Sequence, residues 1–112
     1  MKTILGDAVD TFVTDKGVIF KEMYDLLETF SNPKIILTGA KEVDFGKYNL
    51  DKMPYPVFTL RHDPEKTDPE YYVRMLAHFG LTKNDVIYFE HGEGAVKSAI
   101  SVGIKTYHYD SQ

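Results

Sequence analysis

Three side chains that could do chemistry stand where short apolar runs stop. In "ILGDAVDTFV", residues 4–13, two apolar residues and a glycine lead into Asp7. "KIILT", 34–38, ends on Thr38, and "VIYFE", 86–90, ends on Glu90. A carboxylate at a strand end can attack an electrophile, ligate a metal or merely close the strand. On these residues alone all three readings of Asp7 stay open. Glu90, in a Gly-rich turn, is a second acid able to touch a metal or a ligand, and Thr38 adds a hydroxyl that can donate or accept.

Such groups need a scaffold that gathers strand ends. Residues 2–6 form a short apolar run suited to a buried strand. Ile19, Met23, Leu26, Leu27 and Phe30 recur at helical spacing, which predicts an amphipathic helix over 18–30, ended by Asn32-Pro33. "KIILT" is the second strand. Residues 39–56, with Gly39, Gly46, Pro54 and Pro56, hold one short helix at 43–49, and "VFTL", 57–60, is the third strand. After the polar loop "RHDPEKTD", Asp68 is a suitable N-cap with Pro69 at the first helical position; that helix runs to Phe79 and stops at Gly80. Residues 85–89 make the fourth strand, a helix over 93–102 ends at Gly103, and "IKTYHY", 104–109, is the fifth strand. Short apolar strands alternating with amphipathic helices predict an α/β fold: a parallel sheet covered on both faces, a three-layer α/β/α sandwich. In such sheets ligands bind outside the carboxyl ends of the strands, where Asp7, Thr38 and Glu90 fall.

Composition narrows the classes. At 112 residues the chain is expected to be a single domain over 1–112. Its 43% hydrophobic and 27% charged residues predict an ordinary soluble globular protein, with seven Phe and eight Tyr to fill a core. The net charge is −4 with acids and bases mixed, so there is no clear nucleic-acid signal. No cysteine is present, which excludes disulfides and thiolate metal sites. All apolar runs are short, so no membrane span or signal peptide is expected and a cytoplasmic location is the default. "RHDPEKTD" lacks the ligand spacing of a zinc motif. "HGEGAVK" lacks the third glycine and the Lys-Ser/Thr ending of a nucleotide loop.

Four segments occur in a telling order: "ILGDAVDTF", "IILTGA", "KTDPEYY" before a helix, and "VIYFEHGEGAVKSAISVGIKTYHY". The last is a strand ending on an acid, a small-residue helix and a glycine-led strand. Over nearly the whole chain this frame resembles the haloacid dehalogenase-like (HAD) superfamily of hydrolases and phosphotransferases. The resemblance sets Asp7 on the family's nucleophile, Thr11 on the motif's threonine and Phe12 on its leucine. Thr38 takes the second motif's Ser/Thr. Lys66, followed by Pro69 and Tyr72 at matching spacing, takes the third motif's lysine. Three positions depart from the pattern. The second aspartate of the first motif is Val9, its glycine is Asp10, and the paired acids of the fourth motif are Glu90-His91.

The resemblance implies a five-stranded parallel, Rossmann-like sheet in the order 3-2-1-4-5, with the Asp7 strand in the middle. It implies a single HAD-like core with no cap domain, since neither the interval Thr11 to Thr38 nor Thr38 to Lys66 has room for one. Capless members act on macromolecules or borrow a lid from a partner subunit. The expected partner is therefore a phosphorylated small molecule or macromolecule, and a homo-oligomer is compatible. In the implied chemistry Asp7 attacks phosphorus and the aspartyl-phosphate is then hydrolysed. Thr38 hydrogen-bonds a phosphate oxygen, and Lys66 neutralises charge. Mg2+ sits between Asp7, a main-chain carbonyl near Val9, and Glu90, held weakly because acids are few. Val9 cannot move a proton, a function typically worth about 10²–10⁴-fold, and His91 or His62 would substitute if their loops fold over the site. A branch that cleaves carbon–halogen bonds is similar over "DAVDTF", but its members carry a helical cap. The expectation is a Mg2+-dependent phosphatase of weak or specialised activity. The alternative is a catalytically silent relative that binds a phosphorylated ligand or a protein partner. A proton-carrying group within hydrogen-bond reach of the site separates the two.

Overall fold

The computed structural model describes residues 1–109. Strands β1 (Thr3–Asp7), β2 (Lys34–Thr38), β3 (Val57–Thr59), β4 (Val86–Glu90) and β5 (Lys105–His108) form one sheet. Their order is β3-β2-β1-β4-β5 and every pair is parallel, so the expected α/β Rossmann-like arrangement is the one found. Helix α1 (Lys21–Glu28) lies on one face, and α2 (Glu70–Phe79) and α3 (Glu93–Ser101) lie on the other.

The period of the strands builds two cores. Successive side chains of a strand point to opposite faces. Ile4 and Ile36 therefore pack with Met23, Leu27 and Phe12 on the α1 side. Leu5, Leu37 and Tyr88 pack with Tyr71, Tyr72, Met75 and Ala99 on the other. Each fully buried Leu, Ile or Phe contributes about 1.5–3 kcal/mol relative to exposure. The register then aligns the chemistry. Asp7 lies opposite Leu37, Gly6 opposite Phe89, and Thr38 opposite Thr59. Asp7, Thr38 and Glu90 thus leave the sheet at one carboxyl edge.

The helix termini follow local chemistry. Asp68 Oδ1 accepts the Glu70 N–H at 3.0 Å while Pro69 already has helical φ and ψ, which is capping where it was expected. Gly80, at φ 65°, ends α2 in the left-handed conformation that glycine adopts without strain.

Two segments differ from the periodicity. The first helix begins at Lys21 rather than at residue 18. Val13 and Ile19 form an antiparallel bridge, and Phe20 N–H donates to the Phe12 carbonyl, so residues 18–20 are the return leg of a turn. Leu26 and Phe30 are about half exposed (47% and 48%) instead of joining the core. With Ile87, Phe89 and Tyr107 they line an apolar cavity of about 290 Å3. The expected helix at 43–49 is 3-10 in character, Glu42–Tyr48 followed by Leu50–Lys52. Asn49, left-handed at φ 55°, divides the two.

Gly17 joins the first turn to this 3-10 wall. It has φ 79°, its carbonyl accepts from Asn49 Nδ2 at 3.1 Å, and an added Cβ would meet Tyr48 carbonyl carbon at 2.6 Å. Both the conformation and the space forbid a side chain. Gly17→Ala should therefore cost about 1–3 kcal/mol in chemical denaturation. An unchanged unfolding midpoint would show that this junction is not held as described.

Candidate active site

Asp7 is buried at the end of the central strand, and both of its carboxylate oxygens are engaged. Oδ1 accepts from Lys66 Nζ. Oδ2 accepts from Thr11 Oγ1 at 3.1 Å and lies 2.7 Å from His91 Nδ1. Lys66, in the loop before α2, also reaches Glu90 Oε1 at 2.5 Å. Its ammonium thus bridges the two acids, with its side chain only 13% exposed. Glu90 takes further hydrogen bonds from Tyr88 OH at 2.5 Å and from the Gly92 N–H at 2.9 Å. Among the described residues no buried side-chain nitrogen or oxygen lacks a partner.

The supporting elements explain why Lys66 stays there. Ser98 of α3 donates to the Thr67 carbonyl at 2.5 Å, which ties the lysine loop to the helix. Gly94 permits that approach, since an added Cβ would meet Thr67 Cγ2 at 3.0 Å. Tyr71 OH donates to the Thr38 carbonyl at 2.8 Å, so α2 also fixes the end of β2. Thr38 Oγ1 accepts from the Ala40 N–H at 3.1 Å.

Above these groups opens a cleft of about 310 Å3 whose lining includes Asp7, Val9, Thr38, His62, Lys66 and His91. Glu90 lies beneath it, 1% exposed. Tyr48 and Asp44 of the 3-10 segment form part of its wall. The structure therefore brings Asp7, Thr38 and Lys66 to one cleft with Val9 beside them, and places Glu90 in contact with Lys66 rather than at the surface. Tyr71 and Tyr72 are fully buried packing residues.

The charges set one another. Burial pushes Asp7 up, but the Lys66 charge and the hydrogen bond from His91 outweigh it and hold the carboxyl below its usual range. Burial would lower Lys66, yet the Asp7 and Glu90 charges raise it well above the ordinary lysine value. Glu90 is pushed up, first by burial and then by the neighbouring Asp7 charge, against the pull of Lys66. His91 is raised, chiefly by its hydrogen bond to Asp7. An ionised carboxylate can only accept, so Nδ1 carries the proton toward Asp7.

From the sequence, His91 reaches the site only if its loop folds over it, and the contact with Asp7 shows that it does. The signal that finds it is register. With Gly6 opposite Phe89, the residue after Glu90 stands beside the loop after Asp7. Asp10 Oδ2 lies 3.6 Å from His91 Nε2. His62, also in the cleft, pairs with Glu65 through Nδ1 at 3.1 Å.

Ligand atoms of Asp7, Glu90 and His91 lie within 4.8 Å of one another, a spacing at which a metal could be held. The donor set does not suit Mg2+. That ion takes oxygen ligands in a near-ideal octahedron. Here the third donor is an imidazole, and the oxygens of Asp7 and Glu90 are already engaged by Lys66, His91, Thr11, Tyr88 and Gly92.

No family model, no curated protein and no solved structure matches the chain. Among the described residues no helix is long and apolar enough to cross a membrane.

Two outcomes follow from the buried charges. Lys66→Met strands two acids, and removing one partner of a buried ion pair typically costs about 3–5 kcal/mol. Urea unfolding of this variant should show a loss of that size, and a loss near zero would mean that the lysine is solvated. The second outcome concerns His91, whose folded value is raised. Its contact with Asp7 adds stability that is complete below the unfolded histidine value, 6.5, and fades as the pH rises through the folded value. NMR titration of the His91 ring should give a midpoint above 6.5, and Asp7→Asn should lower it. A midpoint that ignores Asp7→Asn would remove the assigned contact.

Proposed function

We propose that the chain is a HAD-like phosphohydrolase that works through Asp7 as an aspartyl nucleophile. The observation that carries this reading is the state of Asp7. It is buried, held ionised, and set between an ammonium and an imidazole at the floor of an open cleft. A carboxylate so placed can attack a phosphoryl group whose charge Lys66 offsets, and catalysis of this kind is mostly positioning and electrostatics. Thr38 lines the same cleft and offers its hydroxyl to a phosphate oxygen.

The first loop adds support. Asp10, where the family motif has glycine, has φ 71°. Asp is among the few residues other than glycine that accept this conformation readily. The turn therefore keeps the backbone shape that the motif needs. Val9 lines the cleft where the family has its acid/base, and His91 stands within hydrogen-bond reach of the nucleophile.

In the first step a bond forms between an Asp7 oxygen and phosphorus while the bond to the leaving oxygen breaks. That oxygen takes the proton from His91, which leaves the ring neutral. Water then attacks phosphorus, neutral His91 accepts the water proton, and the Asp7–phosphorus bond breaks to release inorganic phosphate. The expected substrate is a phosphorylated small molecule or macromolecule.

One observation favours a silent binding domain instead. Both Asp7 oxygens are already partnered, so attack requires the Thr11 and His91 contacts to yield.

A phosphate-release assay with an aryl phosphate separates the readings. Slow turnover preceded by a burst is expected for the wild type, because the first step needs little proton help from a good leaving group. Asp7→Asn should abolish it, and Val9→Asp should raise it. With an alkyl phosphate, His91→Gln should lower kcat by about 10²–10⁴-fold. Turnover that survives Asp7→Asn would place the chemistry elsewhere. Absence of turnover in both the wild type and Val9→Asp would favour the binding domain.

A further inference from the structure

We propose that the His91 side chain takes the place of a divalent cation in this site, so that the carboxylate cluster operates without a bound metal. The inference deepens the phosphohydrolase reading and rests on it for what the site does with phosphate. Three acids, two from the end of β1 and its loop and one from the end of β4, face one ring. Nδ1 lies 2.7 Å from Asp7 Oδ2 and 3.4 Å from Glu90 Oε2, and Nε2 lies 3.6 Å from Asp10 Oδ2. A cation shared by β1 and β4 would have to bind these same oxygens. The opposite pair, Asp7 Oδ1 and Glu90 Oε1, is taken by Lys66. Two nitrogen-bearing side chains therefore fill the two gaps between the acids.

The backbone that carries the ring is also held. His108 Nε2, in β5, donates to the His91 carbonyl at 2.7 Å, and the Tyr109 N–H donates to the Glu90 carbonyl at 2.7 Å. Edge-strand residues thus pin the loop that carries the imidazole. Mg2+ demands oxygen ligands at about 2.0–2.1 Å in an octahedron. No such shell forms around Asp7 Oδ2 while the ring remains. A rival arrangement uses the same residues, with His91 as a metal ligand alongside Asp7 and Glu90. The two differ in sign: removing a ligand weakens metal binding, whereas removing a substitute creates it.

The test is calorimetric titration of Mg2+ and of Mn2+ into wild type, His91→Ala and His91→Asp, with thermal unfolding on the same samples to verify folding and to read any shift in Tm. His91 is 42% exposed at its side chain, so neither substitution opens a core cavity. The wild type should bind neither ion at millimolar concentration and keep its Tm. Both variants should bind. His91→Asp, which supplies a further carboxylate, should bind Mn2+ at least about tenfold more tightly than wild type, within the range that changes around a metal produce. Binding by the wild type that His91→Ala abolishes would overturn the proposal, and so would the absence of binding in all three proteins. Wild-type turnover of an aryl phosphate should be indifferent to chelator, and turnover lost on chelation would likewise overturn it. Orthovanadate titration runs in parallel. If the cation results hold but no protein binds orthovanadate or releases phosphate, the phosphohydrolase reading falls and the cation substitution stands.

Discussion

A lysine ammonium buried between two carboxylates governs this structure. Taking three charges out of water is expensive, and their mutual attraction offsets that only when the geometry is good and the remaining lone pairs are satisfied. Both conditions hold here. Lys66 bridges Asp7 and Glu90, and Thr11, His91, Tyr88 and the Gly92 N–H complete the acids' hydrogen bonds. Low local dielectric strengthens each of these contacts and makes the loss of any one costly.

The rest of the fold is arranged around that requirement. A parallel sheet with β1 at its centre delivers acids from β1 and β4 to one edge. The crossover through α2 brings Lys66 back over that edge, and Ser98 and Gly94 of α3 let its loop pack closely. The α1 side contributes less to the charges and more to the mouth. There the 3-10 segment, held by Gly17 and Asn49, supplies Asp44 and Tyr48 to the cleft wall. The result is a carboxylate held ionised despite burial, the state that the proposed attack on phosphorus requires.

Much of this was legible in the sequence because it rests on local chemistry. Strand-length apolar runs, the Asp68-Pro69 start and the Gly80 and Gly103 stops fixed the alternation, and with it the positions of Asp7, Thr38 and Glu90 at strand ends. What was not legible depends on tertiary geometry. The start of α1 moved because Val13 and Ile19 pair across a turn, and no helical periodicity reports such a pairing. Leu26 and Phe30 keep helical spacing yet stay half exposed, since burial depends on what lies opposite. The contact of His91 with Asp7 needs the register of β4 against β1 and one side-chain rotamer, neither of which is written in residue types. Tyr88 as a donor to Glu90 was hidden in the same way, inside a run that reads as plain strand.

If Asp7 is the nucleophile proposed, it becomes covalently phosphorylated during turnover. The most direct measurement is mass-spectrometric mapping of protein quenched in acid during reaction with an aryl phosphate. A phosphoryl group is expected on the peptide that contains Asp7, present in the wild type and absent from Asp7→Asn. Turnover with that peptide unmodified, or with the phosphoryl group on another residue, would contradict it.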